Sequence, residues 1–285
     1  EISKISFPKA IIFGTSDNYK EFFNYALEIA SLKRVKTSVS AIEGDAIAKK
    51  ELSARLTAYQ NLLFNSLFIN FENAQWSFKN KIIDTKNLSS IASDVSDDVY
   101  NLTPKVQNEL VVREKVSTMA VAASHSLIFR ILNNASEKNL GMEGYPAEYG
   151  IYLSIIKANK LHKLSKGEFK FVEPSKSNKE LSALHNEFNK HIKSKEEPTS
   201  LNELYDLFSK QPYGIKKGLI PILLASFYMT NEGSFALYNT DEQGKEFLIT
   251  DYNKRICERF ISTPETLKMM FVKIEGEKQT LLDEF

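Results

Sequence analysis

His185, Glu187 and His191 come closest in this sequence to a metal-binding pattern, and their spacing defeats it. Ligands on one helix face stand three or four residues apart. His185 and His191 are six apart, which separates them by roughly 240° around the axis. Glu187 and His191 share a face and read as a surface pair. His125, between Ser124 and Ser126 in an apolar stretch, reads as a buried, hydrogen-bonded histidine. His162 closes a helical stretch, where a cation suits the dipole. Asp94, Asp97 and Asp98 form an acidic knot beside a turn and read as solvated. The single Cys257 excludes a disulfide framework and a cysteine-cluster metal site. There is no Gly-x-Ser-x-Gly elbow, no His-Glu-x-x-His helix and no zinc-deaminase signature, and no glycine is followed at Walker spacing by Gly-Lys-Ser/Thr. The expectation is a chain with no catalytic residue, no metal and no cofactor of its own.

The polar candidates that remain suit contact rather than catalysis. Glu109 and Arg113 form an i,i+4 pair of favourable polarity beside Asn108. On an exposed helix such a pair contributes a few tenths of a kcal/mol, about 0.2–0.5; at a junction it could clamp a partner by bidentate pairing. Tyr213 and Gly214, after Pro212, lead Lys216 and Lys217 into a helix start, where backbone N–H groups favour anions. The same turn could simply set the angle between two helices. Residues 157–195 hold ten lysines against four glutamates, without arginine. Lys157, Lys160, Lys163, Lys166 and Lys170 are the first five of these. They read either as a solvated surface or as contacts to a phosphate backbone.

The elements that would carry these residues are mostly helices, punctuated by short strand pairs. Residues 9–13 read as a strand ending at Gly14, and 19–32 as an amphipathic helix. Asp45 should cap a long helix over 46–71, with Leu52, Leu56, Tyr59, Leu63 and Leu67 on one stripe. Residues 76–78 and 81–83 alternate as a tight hairpin would. Thr103 before Pro104 reads as a helix start, and 117–133 as a second long helix. Pro146 opens a helix to about 159, followed by a strand at 169–172. Ser200 and Glu203 form a capping box for a helix to 210. An apolar helix over 216–230, a hairpin at 235–238 and 247–249, a helix over 251–262 and a strand at 270–274 complete the pattern. The fold class is mainly α with short β-hairpins, a helical domain with winged-helix-like modules.

Hydrophobic content of 42%, charged content of 26% and a net charge of +1 over 285 residues are ordinary globular values. They allow two or three compact units and point to no particular partner. No apolar run approaches the ~20 residues needed to cross a bilayer, so no membrane is expected and the cytoplasm is the expected compartment.

Two phrases say more. Residues 103–113 (Thr-Pro-Lys-Val-Gln-Asn-Glu-Leu-Val-Val-Arg) and 211–221 (Gln-Pro-Tyr-Gly-Ile-Lys-Lys-Gly-Leu-Ile-Pro) resemble phrases in the rear, non-P-loop region of large bacterial phage-defence ATPases of the BREX type. Residues 44–51, 140–146 with Tyr152, and 262–265 resemble further phrases of that region in matching order, and they add Glu143 to the interaction candidates. Val111-Val112 departs from the Ile-Asn more usual there. The resemblance implies a part of an ATP-driven antiviral complex, with ATP and Mg bound only in a domain upstream. The start at Glu1 fits a region of a larger machine. The expected divisions are 1–43 as a strand–helix remnant of an upstream α/β domain, 44–172 as a helical domain with a first winged-helix-like unit, 173–199 as a linker with one helix, and 200–285 as a second winged-helix-like module. The expected function is a non-catalytic regulatory or interaction region that docks on its own upstream ATPase domain or on other defence proteins. The alternative is DNA binding through the winged-helix-like elements and the lysine-rich stretch.

Overall fold

A computed structural model describes residues 11–17, 19–79, 81–83, 87–106, 108–113, 115–231 and 233–272. The chain is mainly helical with small antiparallel sheets and divides into two compact units, Glu1–Val99 and Tyr100–Phe285.

In the first unit, β1 (Ile12–Thr15) precedes α1 (Tyr19–Ser38), the short α2 (Ser40–Gly44) and the long α3 (Ala46–Glu72). A hairpin of β2 (Gln75–Phe78) and β3 (Lys81–Ile83) follows, and α4 (Leu88–Val99) ends the unit. Asp45 caps α3 as expected: its carboxylate accepts from the N–H groups of Ile47 and Ala48 at 2.8 and 3.1 Å. The strand β1 pairs antiparallel with β2, with Ile12 opposite Phe78, and α1 packs along α3. Residues 1–43 were expected to belong to a separate α/β domain. The described part of them instead shares a sheet and a helix pair with residues 46–78, because the edge of β1 finds its hydrogen-bond partners there. Lys9 and Ala10 of the expected first strand lie outside the described residues.

The second unit holds α5 (Glu109–Val112), α6 (Thr118–Asn133) and α7 (Ala147–Ile151), which continues as a π-helical turn over Tyr152–Lys157. The hairpin of β4 (His162–Ser165) and β5 (Glu168–Phe171) follows, then α8 (Lys179–Lys193), β6 (Thr199–Ser200), α9 (Leu201–Ser209) and α10 (Ile220–Thr230). β7 (Phe235–Thr240), β8 (Glu246–Leu248), α11 (Lys254–Ser262) and β9 (Leu267–Phe271) close it. The strands order as β6-β9-β7-β8. The expected hairpin forms as β7 and β8, and β9, arriving after α11, takes the place between β6 and β7. Lys273 and Ile274 of the expected last strand lie outside the described residues.

One core serves this whole unit. Residues Ile220 to Met229 of α10 are all buried, so the helix must be covered on every side. Its covers include α6, α9 and β5. Residues 173–199, expected to be a linker, supply another: Leu181, Leu184 and Phe188 are fully buried on α8 and Ile192 nearly so. The Phe188 ring lies within 6.4 Å of those of Phe208, Phe227 and Phe235. The polar composition that suggested a linker belongs to the outer face of an amphipathic helix. The divisions expected at 172 and 199 therefore fall inside a single core.

Two expected helix starts also move, and the Ser200 cap of α9 holds without its expected return from Glu203. Thr103 starts no helix, because its hydroxyl donates to the Tyr213 carbonyl at 2.5 Å and is spent on a tie across the fold. Glu203 does not reach back to Ser200; its Oε1 meets His191 Nε2 at 2.9 Å and also accepts from Lys195. The apolar helix begins at Ile220, beyond Lys216 and Lys217.

Replacing Phe188 by Ala tests this architecture. A core position predicts a loss of about 3–5 kcal/mol in urea unfolding, whereas a linker position predicts almost none.

Candidate functional site

The two phrases at 103–113 and 211–221 form one joint. Leu102 N–H donates to the Pro212 carbonyl at 3.2 Å, and Thr103 adds its bond to Tyr213. Gly214 takes a left-handed φ of 59°, and a Cβ there would lie 2.6 Å from the Tyr100 ring. A Cβ on Gly218 would collide with the Val111 carbonyl. Each glycine is present because another segment of the joint occupies the space a side chain would need.

Most of the interaction candidates serve this joint or its rim. Asn108 caps α5, accepting from Leu110 N–H at 3.0 Å, and its amide donates to Ser154 Oγ at 2.7 Å. Its polar atoms are engaged within the fold. Tyr213 is buried, and that burial raises its phenol pKa. Glu109 and Arg113 face solvent, 88% and 62% exposed, with 3.4 Å between Oε2 and Nη2. An ion pair that exposed contributes little to stability and leaves both groups open to a partner. Glu143, Lys216 and Lys217 are exposed as well. Beside Glu143 stands Tyr145, 91% exposed, its ring edge-on to Tyr149, which stacks on Tyr152.

The histidines split by environment. His185 is buried edge-on against Phe227, and His191 pairs with Glu203 rather than with Glu187. His162 was expected at a helix end. It instead begins β4, buried, with Nε2–H donating to the Ala135 carbonyl at 2.8 Å and Nδ1 accepting from the Tyr152 hydroxyl at 3.0 Å. His125 leaves Nε2 buried without a hydrogen-bond partner among the described residues.

His125 lines a cleft of about 490 Å³ together with Phe129, Arg130, Glu148, Cys257 and Glu258. Arg130 Nε stands 3.2 Å from the nearly buried Glu148 carboxylate. No single sequence pattern announces this cleft, since its residues come from α6, α7 and α11; the nearest signals were His125 and Cys257. Burial pushes the Cys257 thiol up to about 12, and its sulfur lies 3.5 Å from the Tyr252 carbonyl. It is a poor nucleophile, because the thiolate is the reactive form. Among the described residues no group of three or more His, Cys, Asp or Glu could hold a metal ion, and no helix is long and apolar enough to cross a membrane.

Comparison of the chain with protein-family models, curated proteins and solved structures gives no match.

Two surfaces remain. The first is the outside of the α1–α3 pair. Tyr19, Phe23 and Leu27 recur every four residues along α1 and are 62%, 64% and 56% exposed. On α3, Phe64, Phe68 and Ile69 are 50–60% exposed, with Leu62, Leu67 and Phe71 partly so. Residues 56–71 carry no charged side chain at all. The second is the β4–β5 hairpin, where Lys163, Lys166 and Lys170 are exposed, with Lys157 and Lys160 exposed just before it. The helix α10 offers no exposed face.

Two outcomes follow from the joint and the histidines. Gly214→Ala should lower stability by about 1–3 kcal/mol, seen as an earlier urea midpoint; an unchanged midpoint would remove the strain argument. Desolvation lowers the pKa of His162, against the Ala135 bond that raises it; desolvation also leads at His125, against Glu258, and at His185. The folded state thus favours neutral imidazole. Its contribution is complete above the unfolded value of about 6.5 and is lost as pH falls from there toward the depressed folded values. Thermal midpoints should drop across that window, and less steeply in His162→Gln. A flat wild-type profile would refute it.

Proposed function

We propose that the chain is a non-catalytic interaction region of a bacterial antiviral-defence P-loop ATPase, acting in the cytoplasm. It docks on that protein's motor domain, or on a partner defence protein, through the outer faces of α1 and α3. The observation that carries this reading is the uncharged, aromatic-rich surface of those two helices. Buried apolar side chains stabilise an assembly by about 1.5–3 kcal/mol each, and contiguous apolar patches of this kind mark protein contacts. The first unit supplies little core of its own: Ile29, Leu52, Ile91 and Val95 are its buried apolar residues among those described. A cover for its helix pair would make up that deficit. The order of the family-like phrases supports the ATPase as the parent. ATP and Mg belong to the motor domain.

Coexpression with the P-loop domain of the same polypeptide tests the proposal. A stable complex should form with the wild-type chain and be lost at least tenfold in affinity with Phe64→Asp and Phe68→Asp together. Both positions are exposed, so the variant should keep its helical circular dichroism. Binding that ignores both substitutions, or a parent gene without a P-loop, would defeat the reading.

A further inference from the structure

We infer that the β4–β5 hairpin is a contact surface for the phosphate backbone of duplex nucleic acid, bound without regard to sequence. The inference stands on a different surface from the protein-docking face and does not depend on it. Lys166 and Gly167 form the turn with φ of 54° and 93°, the signature of a tight two-residue hairpin. Pairing sets His162 opposite Phe171 and Leu164 opposite Phe169. His162 and Phe171 are buried, which fixes that face inward. Lys163 therefore faces outward directly opposite Lys170, and Ser165 opposite Glu168.

Two like charges directly opposed on one face destabilise a hairpin. Carboxylates hold Lys79, Lys195, Lys210 and Lys268 among the described residues. Among the described residues no ion pair holds Lys157, Lys160, Lys163, Lys166 or Lys170, and all five are exposed. Glu168 shares this face without an ion pair to either lysine, and opposed lysines maintained against their own repulsion are the pattern expected where a polyanion supplies the missing charge.

The geometry favours nucleic acid over other anions. The strand from His162 to Ser165 runs roughly 10 Å, the span of about three phosphates on one strand. Lysines act as point charges, suited to a regular phosphate array rather than to bidentate capture of a carboxylate. Leu164, the exposed apolar residue of the hairpin, lies on the face opposite Lys163 and Lys170, so the lysine face offers nothing to insert into a lipid surface. Phosphate contacts alone position a protein without reading bases.

Fluorescence anisotropy of a labelled duplex with the full chain, titrated at several salt concentrations, tests the inference. Four or five phosphate contacts predict that log K falls with log salt at a slope of about −4. The Lys163→Glu, Lys170→Glu double variant should reduce that slope by about 2 and weaken binding at least tenfold at low salt. Its thermal midpoint should be unchanged, since an opposed like-charge pair gives way to another of the same kind. Lys216→Glu with Lys217→Glu should leave both slope and affinity in place. The inference falls if the wild-type chain fails to bind duplex at tens of micromolar protein in low salt. It falls equally if the Lys216 and Lys217 variant loses binding while the hairpin variant keeps it. It falls too if the hairpin charges govern binding to phosphatidylserine vesicles and not to duplex.

Discussion

The second unit depends on one helix with no polar side to show. From Ile220 to Met229 every residue of α10 is buried, and such a helix can persist in water only if other elements enclose it. Its enclosure recruits segments far apart in sequence: α6, α9, β5 and the aromatic side chains of α8 and β7. Phe227 is the common contact, with the rings of His185, Phe188 and Phe208 all within 6.2 Å of it. Ser226, the polar exception inside this shell, returns its hydroxyl to the Ile222 carbonyl at 2.8 Å and so leaves no unsatisfied donor.

The joint at the entrance to α10 follows from that requirement. The chain must turn sharply between α9 and α10, and Gly214 accepts the left-handed conformation that the turn requires. Tyr213, carried inward by the turn, presents its carbonyl to Thr103. The Val111 backbone then lies so close to Gly218 that no larger residue would fit without a shift. Residues 103–113 and 211–221 are therefore informative as a pair because they share one packing problem. Asn108, Tyr213 and the glycines are used up by that problem, which leaves Glu109, Arg113, Glu143, Lys216 and Lys217 as the polar groups facing outward.

The first unit is organised the other way round. Its long helices leave large aromatic residues on the outside and keep few apolar side chains within. Charge follows the same division, with the uncharged run at residues 56–71 in the first unit and the opposed lysines of the β4–β5 hairpin in the second.

Local features were legible in the sequence. The Asp45 cap, the α6 helix behind Ser117, the hairpin at β2–β3 and the mainly helical class depend on neighbours within a few residues, and neighbours in sequence are what composition and periodicity report. The absence of a P-loop or an elbow motif was equally readable. Long-range pairing was not. Nothing near residue 181 announces that α8 closes a core whose centre lies at Phe227, because an amphipathic helix with many lysines has the same composition as a mobile linker. His162 changed from a helix-end cation to a buried acceptor for Tyr152 because β4 exists only when paired with β5. The 490 Å³ cleft draws its walls from three helices, and the opposed pair Lys163 and Lys170 required the register of a hairpin. Sequence fixed what each segment prefers; only tertiary packing decided which segments meet, since burial is a property of the whole chain and not of any stretch of it.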